Sequence, residues 1–298
     1  MDALARLADV ISRHTSDNDH QPSAIEGVTI SAASEPTDPR PGISEPTLAV
    51  VVQGGKRTVL GDGVFDYGRG QFLVVSLGLP LLGRITEASP VRPFLGFSVR
   101  LDQREIASIV LEAGLGLSDE PMRGIAVAAA DDGLLDACAR LVGLLDAPDD
   151  IPALAPLYQR EILWRLLTGP QAGLVRQAGR VDGNVAQIIR TVHWMRDNYR
   201  EPIRVAQLAD HAGMSVSVFH RHFRSVTSLT PIQYQKAIRL QEARLILVEG
   251  PRNVAGVAHA VGYDSASQFS REYRRAFGSP PGRDAFRLRT VVNATAIP

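Results

Sequence analysis

Apolar residues between positions 25 and 100 come in short runs broken by turn residues. The runs cover 48–53, 57–60, 64–67, 72–77 and 95–101. Gly54-Gly55, Gly61-Asp62-Gly63, Gly68 and Gly70 punctuate them. Asp62-Gly63 is a strong hairpin signal. Many short, closely spaced strands predict a small antiparallel barrel or a double-sheet jelly roll. The period then changes. Residues 102–113 predict a helix opening at an acidic cap. Residues 131–145 place Leu134, Leu135, Cys138, Leu141, Val142 and Leu145 at helical spacing. Residues 152–168 do the same with Leu154, Leu157, Leu163 and Leu166, and stop near Gly169-Pro170. Residues 1–12 form an amphipathic helix candidate. The small, polar stretch 171–183 reads as an interdomain connection, and helical signals return from Asn184.

Residues 204–224 have the pattern of a helix-turn-helix. Ala209 is small where a second helix crosses closely, and Gly213 sits at the turn. Met214 plugs the core, Ser215 caps the next helix, and Phe219 with Phe223 forms its buried face. The arrangement returns about 50 residues later. Val257, Ala258, Gly262, Tyr263, Phe269 and Tyr273 match Leu208, Ala209, Gly213, Met214, Phe219 and Phe223, with one residue inserted after the second turn. Arg221 and Arg224 in the first unit, and Arg271 and Arg274 in the second, lie off the aromatic face and so toward solvent. Between the units, 231–248 predicts a rod capped by Thr230 and ended by Gly250-Pro251. At 1.5 Å per residue it spans roughly 27 Å, close to the ~34 Å of one DNA turn.

The charge distribution sharpens this reading. The whole chain of 298 residues carries 32 basic and 32 acidic side chains. From Asn184 onward there are 16 basic against 8 acidic residues, and before it 16 against 24. A basic C-terminal part on an acidic N-terminal part points to a polyanion-binding module. One cysteine excludes an internal disulfide and fits a reducing cytoplasm. No apolar run approaches the ~18–20 residues of a membrane span, and no basic-then-apolar leader opens the chain.

The chain is identified as resembling the AraC/XylS family of bacterial transcription regulators. The carrying motifs are VAHAVGYDSASQFSR at 257–271 and Phe277-Gly278 followed by Pro280-Pro281, within 184–289. The stretches EPTLAVVVQGGKRTVLGD (45–62), QFLVVSLGLPLLGRITEASP (71–90) and LYQREILWRLLTG (157–169) resemble the regulatory domain of a subgroup. The resemblance implies a two-domain α+β protein. Residues 1–183 would form a cupin-like barrel with packing or dimerisation helices 131–145 and 152–168. Residues 184–298 would form an all-α domain with two helix-turn-helix units joined by a linker helix. It further implies base reading by Ser217, His220 and Arg221 in the first unit and by Ser267, Gln268 and Arg271 in the second. Gln suits adenine and Arg suits guanine. Arg224, Arg274 and Arg275 fit phosphate contacts, and helix starts at Arg204, Ser215, Thr230 and Asn253 add phosphate-facing N–H groups.

The expectation is a sequence-specific DNA-binding regulator controlled by a small-molecule effector in the barrel, the alternative being a constitutive DNA binder whose barrel serves only for dimerisation. The expected partners are double-stranded DNA, a small-molecule effector, a second copy of the chain and, for an activator, RNA polymerase. No membrane partner, metal or cofactor is expected, and the protein is not expected to be an enzyme. Residues 25–100 contain no histidine, which argues against a His-based metal site in the barrel. His220 and His222, two apart on a helix, point in different directions. No nucleophile triad string, CxxC or phosphate-binding glycine loop is present. Cys138 on an apolar helix face reads as a small buried hydrophobe. Gln53, Arg84 and Glu87 are polar residues of the barrel region that suit turn or surface roles.

Overall fold

The computed structural model describes residues 2–16, 19–116, 121–180, 183–249 and 253–287. The Gly250-Pro251 stop and the end of the family-like stretch at Arg289 lie outside the described residues. The chain divides into two compact units. One is Met1–Ile189 with Arg221–Ser228, and the other is Arg190–His220 with Leu229–Pro298.

In the first unit, α1 (Ala3–His14) precedes β1 (Asp19–Pro22), β2 (Val28–Ala33), β3 (Arg40–Ser44), β4 (Thr47–Gln53) and β5 (Gly55–Leu60). β6 (Gly63–Gly68), β7 (Gln71–Val75), β8 (Leu79–Glu87) and β9 (Phe94–Arg100) follow. Then come α2 (Gln103–Glu112), β10 (Ile125–Ala129), α3 (Asp132–Gly143), α4 (Ile151–Thr168) and α5 (Ala172–Ala178). All strand pairs are antiparallel and form two sheets. One has the order β1-β2-β9-β4-β7-β10 and the other β3-β8-β5-β6.

Strand alternation gives the six-stranded sheet two different buried faces. Ile30, Leu48, Val50, Phe72, Val74 and Phe97 face the helices and join Leu7, Ile11, Leu141 and Leu166 in one core. Thr29, Ala49, Leu73, Val75 and Ser98 turn to the other side, toward the four-stranded sheet. α1 docks because Leu4, Leu7, Val10 and Ile11 recur on one face. Asp102 caps α2 by accepting from the backbone of Arg104 and Glu105, and Asp131 caps α3 by accepting from Leu134 at 2.7 Å.

Several sequence expectations shift. The β5–β6 turn is Gly61-Asp62, one residue earlier than Asp62-Gly63. Leu60 pairs with Gly63, and the positive φ of 57° falls on Gly61, the first central position of a two-residue hairpin. The 171–183 connection contains α5, whose Leu174, Val175 and Ala178 are buried, so an apolar helical face lies inside an otherwise small and polar stretch. β10 pairs with β7 although it sits between helical segments. The apolar stripe of α3 is covered within the chain by α1 and α4, while α4 keeps Leu157 and Trp164 exposed at 61% and 42%. Gln53 donates to the Pro93 carbonyl at 2.7 Å. Arg84 lies across the ladder from Arg57, which grips Asp66 at 2.6 and 2.8 Å. No helix is long and apolar enough to cross a membrane among the described residues.

Cys138 is fully buried in this core, and burial pushes its thiol well above the ordinary cysteine range. A thiol-reactive disulfide reagent is expected to leave native protein unmodified and to label one thiol per chain in denaturant. Fast stoichiometric labelling of native protein would contradict the inert role.

Candidate nucleic-acid interface

The second part of the chain contains α6 (Gly183–Asp197), α7 (Val205–His211), α8 (Val216–Thr227), α9 (Pro231–Glu249), α10 (Val254–Ala260) and α11 (Ala266–Phe277). The two helix-turn-helix units close their turns with the same pair of backbone bonds. Gly213 N donates to Asp210 O at 3.0 Å and Met214 N to Ala209 O at 2.9 Å. Gly262 N donates to His259 O at 3.0 Å and Tyr263 N to Ala258 O at 2.9 Å. Both glycines have positive φ, 64° and 86°, where an L side chain is strained. Ala209 and Ala258 are completely buried where their helices cross.

The inserted residue is Asp264, after which Ser265 takes the place of Ser215. Ser265 Oγ accepts from Gln268 N at 3.2 Å, and Ser215 Oγ accepts from Val218 N at 3.4 Å. Phe219, Phe223, Phe269 and Tyr273 are all fully buried. In the second unit the rings pack edge to face: Tyr263–Phe269 at 5.3 Å, Phe269–Tyr273 at 5.5 Å and Tyr273–Phe277 at 4.6 Å. Met214 is only partly buried, whereas Tyr263 at the equivalent place is buried. The first unit's core plug is therefore looser than the sequence pattern implies.

The cations fall into two groups. Arg244, Arg239 and Lys236 on α9 are structural. Buried Arg244 bridges buried Asp284 at 2.7 Å, and Tyr273 OH also donates to Asp284 at 3.0 Å. Arg239 donates to the carbonyls of Tyr199, Gly262, Arg200 and Glu201 at 2.7, 2.7, 2.9 and 3.1 Å. Lys236 bridges Glu272 at 2.8 Å. By contrast Arg204, Arg221, Arg224, Arg271, Arg274 and Arg275 are exposed, and no ion pair to them is found among the described residues. Exposed cations without internal anions are free to meet phosphate or base edges.

Some of the other named residues are already occupied locally. Ser217 and Ser267 are exposed, and His220 is partly buried beside Phe219. Gln268 is exposed, but its Nε2 donates to Glu272 Oε1 at 3.2 Å. Thr230 and Gln233 form a reciprocal cap: Thr230 N donates to Gln233 Oε1 at 2.9 Å, and Gln233 N to Thr230 Oγ1 at 3.3 Å. Asn253 caps α10 through Ala255 N at 3.0 Å.

Glu272 is a residue that sequence reasoning passed over. Burial disfavours its charged form, but hydrogen bonds from Lys236, Tyr263 and Gln268 outweigh that and hold its carboxyl below the usual range. Burial, then the charge of Arg221, holds the His222 ring below the usual histidine range, so it is neutral near pH 7. Among the described residues no group of three His, Cys, Asp or Glu is placed to hold a metal.

The first unit supplies a second site. A cavity of about 860 Å³ lies between the two sheets and is lined from both. Its wall includes Lys56, Thr58 and Tyr67 from the smaller sheet and Thr29, Leu73 and Ser98 from the larger.

Residues 24–174 match the family described as the AraC-type transcriptional regulator N-terminus, and residues 208–285 match a helix-turn-helix domain. The chain belongs to the AraC-type transcriptional regulators. The HTH-type transcriptional activator RhaS of Salmonella typhimurium is 28% identical over 163 residues, which is 52% of this chain and 57% of RhaS. The chain thus spans a little over half the length of the curated relatives it matches. ToxT from Vibrio cholerae O395, bound to (E)-4-(8-methylnaphthalen-1-yl)but-3-enoic acid, shares the fold with a TM-score of 0.59 and 10% identity, covering 88% of this chain and 100% of ToxT. An apo ToxT variant from strain SCE256 has a TM-score of 0.58 and 8% identity, covering 90% and 100%.

The two turn glycines differ in surroundings. A Cβ at Gly213 meets nothing within 4 Å, whereas at Gly262 it collides with the Arg200 carbonyl and the Arg239 guanidinium. Gly213→Ala is expected to cost about 1 kcal/mol, and Gly262→Ala about 3 kcal/mol or more. Urea unfolding followed by circular dichroism measures both. Equal costs would mean that the close approach at Gly262 relaxes freely.

Proposed function

We propose that this AraC-type regulator reads two major-groove sites about one DNA turn apart and is controlled by a small molecule held between its sheets. The observation that carries the DNA-reading half is the repeated turn, which puts exposed arginines without internal anions at equivalent places on α8 and α11. Base reading falls to Ser217, His220 and Arg221, and to Ser267, Gln268 and Arg271. Gln268 must release Glu272 to reach a base. Arg204, Arg224, Arg274 and Arg275 grip phosphate, and the capped helix starts at Ser215, Thr230 and Asn253 offer backbone N–H groups. The 19 residues of α9 make a rod of roughly 28 Å that sets the spacing. In this reading 1–183 is regulatory and 184–298 reads DNA, whereas the compact units divide at Ile189 and Arg190 and group Arg221–Ser228 with the first.

The cavity supports small-molecule control, as does likeness of fold to a protein solved with a bound organic ligand. An effector would act by favouring one arrangement of the DNA-reading parts of a cytoplasmic dimer. The dimer reading rests on α4, where Leu157 and Trp164 stand seven residues apart on one exposed face. RNA polymerase is the further partner if the protein activates, as RhaS is named to do.

Footprinting of the full chain on DNA upstream of its own and neighbouring genes, at fixed salt with competitor, tests the reading. Two protected half-sites about one turn apart are expected, with Arg221→Ala or Arg271→Ala costing roughly 1–3 kcal/mol and relaxing preference at one base. Arg274→Ala should instead weaken all sequences alike and lower the salt slope by about one. Binding without sequence preference, unchanged in pattern by either base-reader substitution, would remove the assignment. Leu157→Glu with Trp164→Glu is expected to shift the protein from dimer to monomer in sedimentation. An unchanged mass would place any dimer contact elsewhere.

A further inference from the structure

α8 and α11 end at equivalent residues but are held differently. α11 ends at Phe277, and Gly278 takes the left-handed turn at φ 75°, its N–H donating to Arg274 O at 2.8 Å. α8 ends at Thr227, and Ser228 stands where Gly278 stands in the second unit. Its N–H makes the matching bond to Arg224 O at 2.9 Å, with φ at 60°. Ser228 is the one residue other than glycine with positive φ among the described residues. A side chain opposes that turn, so the turn persists only where its surroundings hold it.

Those surroundings are the segment 121–124. Gly124 N donates to Val226 O at 2.8 Å, and Ser225 Oγ donates to Pro121 O at 3.2 Å. Val226 O is one of the last carbonyls of α8, which have no partner within the helix. At Ala276 O, its equivalent in α11, no bond from another element is found among the described residues. The segment is itself pinned. Buried Gln177 on α5 accepts from Met122 N at 3.1 Å and donates to Met122 O at 3.0 Å and to Ser76 Oγ at 3.1 Å. Ser76 N donates to Gly124 O at 2.9 Å. Gly124 is tightly enclosed: a Cβ there would fall 2.0 Å from Leu77 Cδ2 and 3.0 Å from Val226 O. Val75, next to Ser76, lines the cavity between the sheets. The last turns of α8 accordingly belong to the first compact unit, and α11 does not.

We propose that Gln177 and Gly124 are positioning residues for DNA reading by α8. They seat its last turn, so control exerted from the first unit acts on the half-site read by α8 and spares the one read by α11. This rests on the proposed reading of α8 and α11 as the base-reading helices.

Hydrogen exchange of the full chain, followed by mass spectrometry, tests the seat with Gln177→Met and Gly124→Ala. The second keeps every Gln177 bond and decides the matter if the first does not fold. Either is expected to speed exchange over 222–228 about tenfold or more and to leave 272–278 unchanged. DNA binding gives the functional arm. The α8 half-site is the one at which Arg221→Ala changes base preference, and the α11 half-site the one that Arg271→Ala marks. Binding to DNA that retains only the α8 half-site should weaken about tenfold, while DNA that retains only the α11 half-site is bound as before. Ser228→Gly lets α8 hold its own end as α11 does, and added to either variant it should return most of the lost binding. Equal loss on both DNAs, loss on neither, unchanged exchange over 222–228, or no recovery with Ser228→Gly would overturn the proposal. If wild type protects no pair of half-sites, the DNA reading itself falls, and the exchange pattern alone then decides whether 121–124 seats α8.

Discussion

Arg239 holds the second helix-turn-helix unit in one geometry. Its guanidinium reaches the carbonyls of Tyr199, Arg200 and Glu201, which follow α6, and the carbonyl of Gly262 in the second turn. It also lies 5.8 Å from the centre of the Tyr263 ring. Gln235, one turn earlier on α9, adds bonds to Tyr199 O and Glu201 O at 2.9 and 2.6 Å. The bonds to Tyr199 O and Gly262 O are part-buried, and leaving such an acceptor unmet costs about 1–3 kcal/mol. A fork of fixed donors suits several carbonyls at once, which a lysine ammonium would serve less rigidly. The turn glycine, its neighbours and the linker helix are thereby locked together, and α11 starts from a fixed point.

From that fixed point the buried and exposed faces of α11 divide cleanly. Tyr273 and Arg244 close on Asp284 below the helix, while Arg271, Arg274 and Arg275 stay outside. Glu272 joins the two sides. It takes bonds from Lys236 and Tyr263 in the scaffold and from Gln268 on the exposed face. A proposed base reader is therefore held by the same carboxylate that anchors the second turn, so its orientation before DNA arrives is set by the scaffold. α8 has His222 where α11 has Glu272, and no such clamp is possible there. The two helices share a backbone plan but differ in how firmly their polar side chains are preset.

The helix-turn-helix part was legible because its constraints fall on residue types with few substitutes. Glycine at positive φ, alanine at a helix crossing and aromatics four apart each leave a mark, and the marks repeat at a fixed offset. Even there, the pattern does not single out Glu272 or Arg239, since their roles depend on partners as far as 36 and 40 residues away. In the first unit, β10 and α5 were missed for a different reason. Each is five to seven residues long and is defined by what covers it, not by its own periodicity. The β5–β6 turn was located within one residue, because Gly61 and Gly63 offer two competing places for the positive φ and pairing of Leu60 with Gly63 selects the first.

The cavity is the feature that sequence pattern hides most completely. A half-exposed strand alternates apolar and polar residues, which reveals its inward face. β7 does not alternate: Phe72 and Val74 pack toward the helices while Leu73 and Val75 line the cavity, so the strand reads as one apolar run. β2 and β9 carry Thr29 and Ser98 on the cavity side, and by sequence alone these are the residues one would turn to solvent. The larger sheet thus has an apolar outer face under helices and a partly polar inner face, the reverse of the usual expectation for a sheet with one covered side. Lys56 follows the same inversion. A charged residue in a strand of a small barrel is ordinarily assigned to the outside, yet the register that pairs it with Ile85 turns it inward. Helices covering one face allow the other face to hold polar groups and space, and that space is where specificity for a ligand can be built.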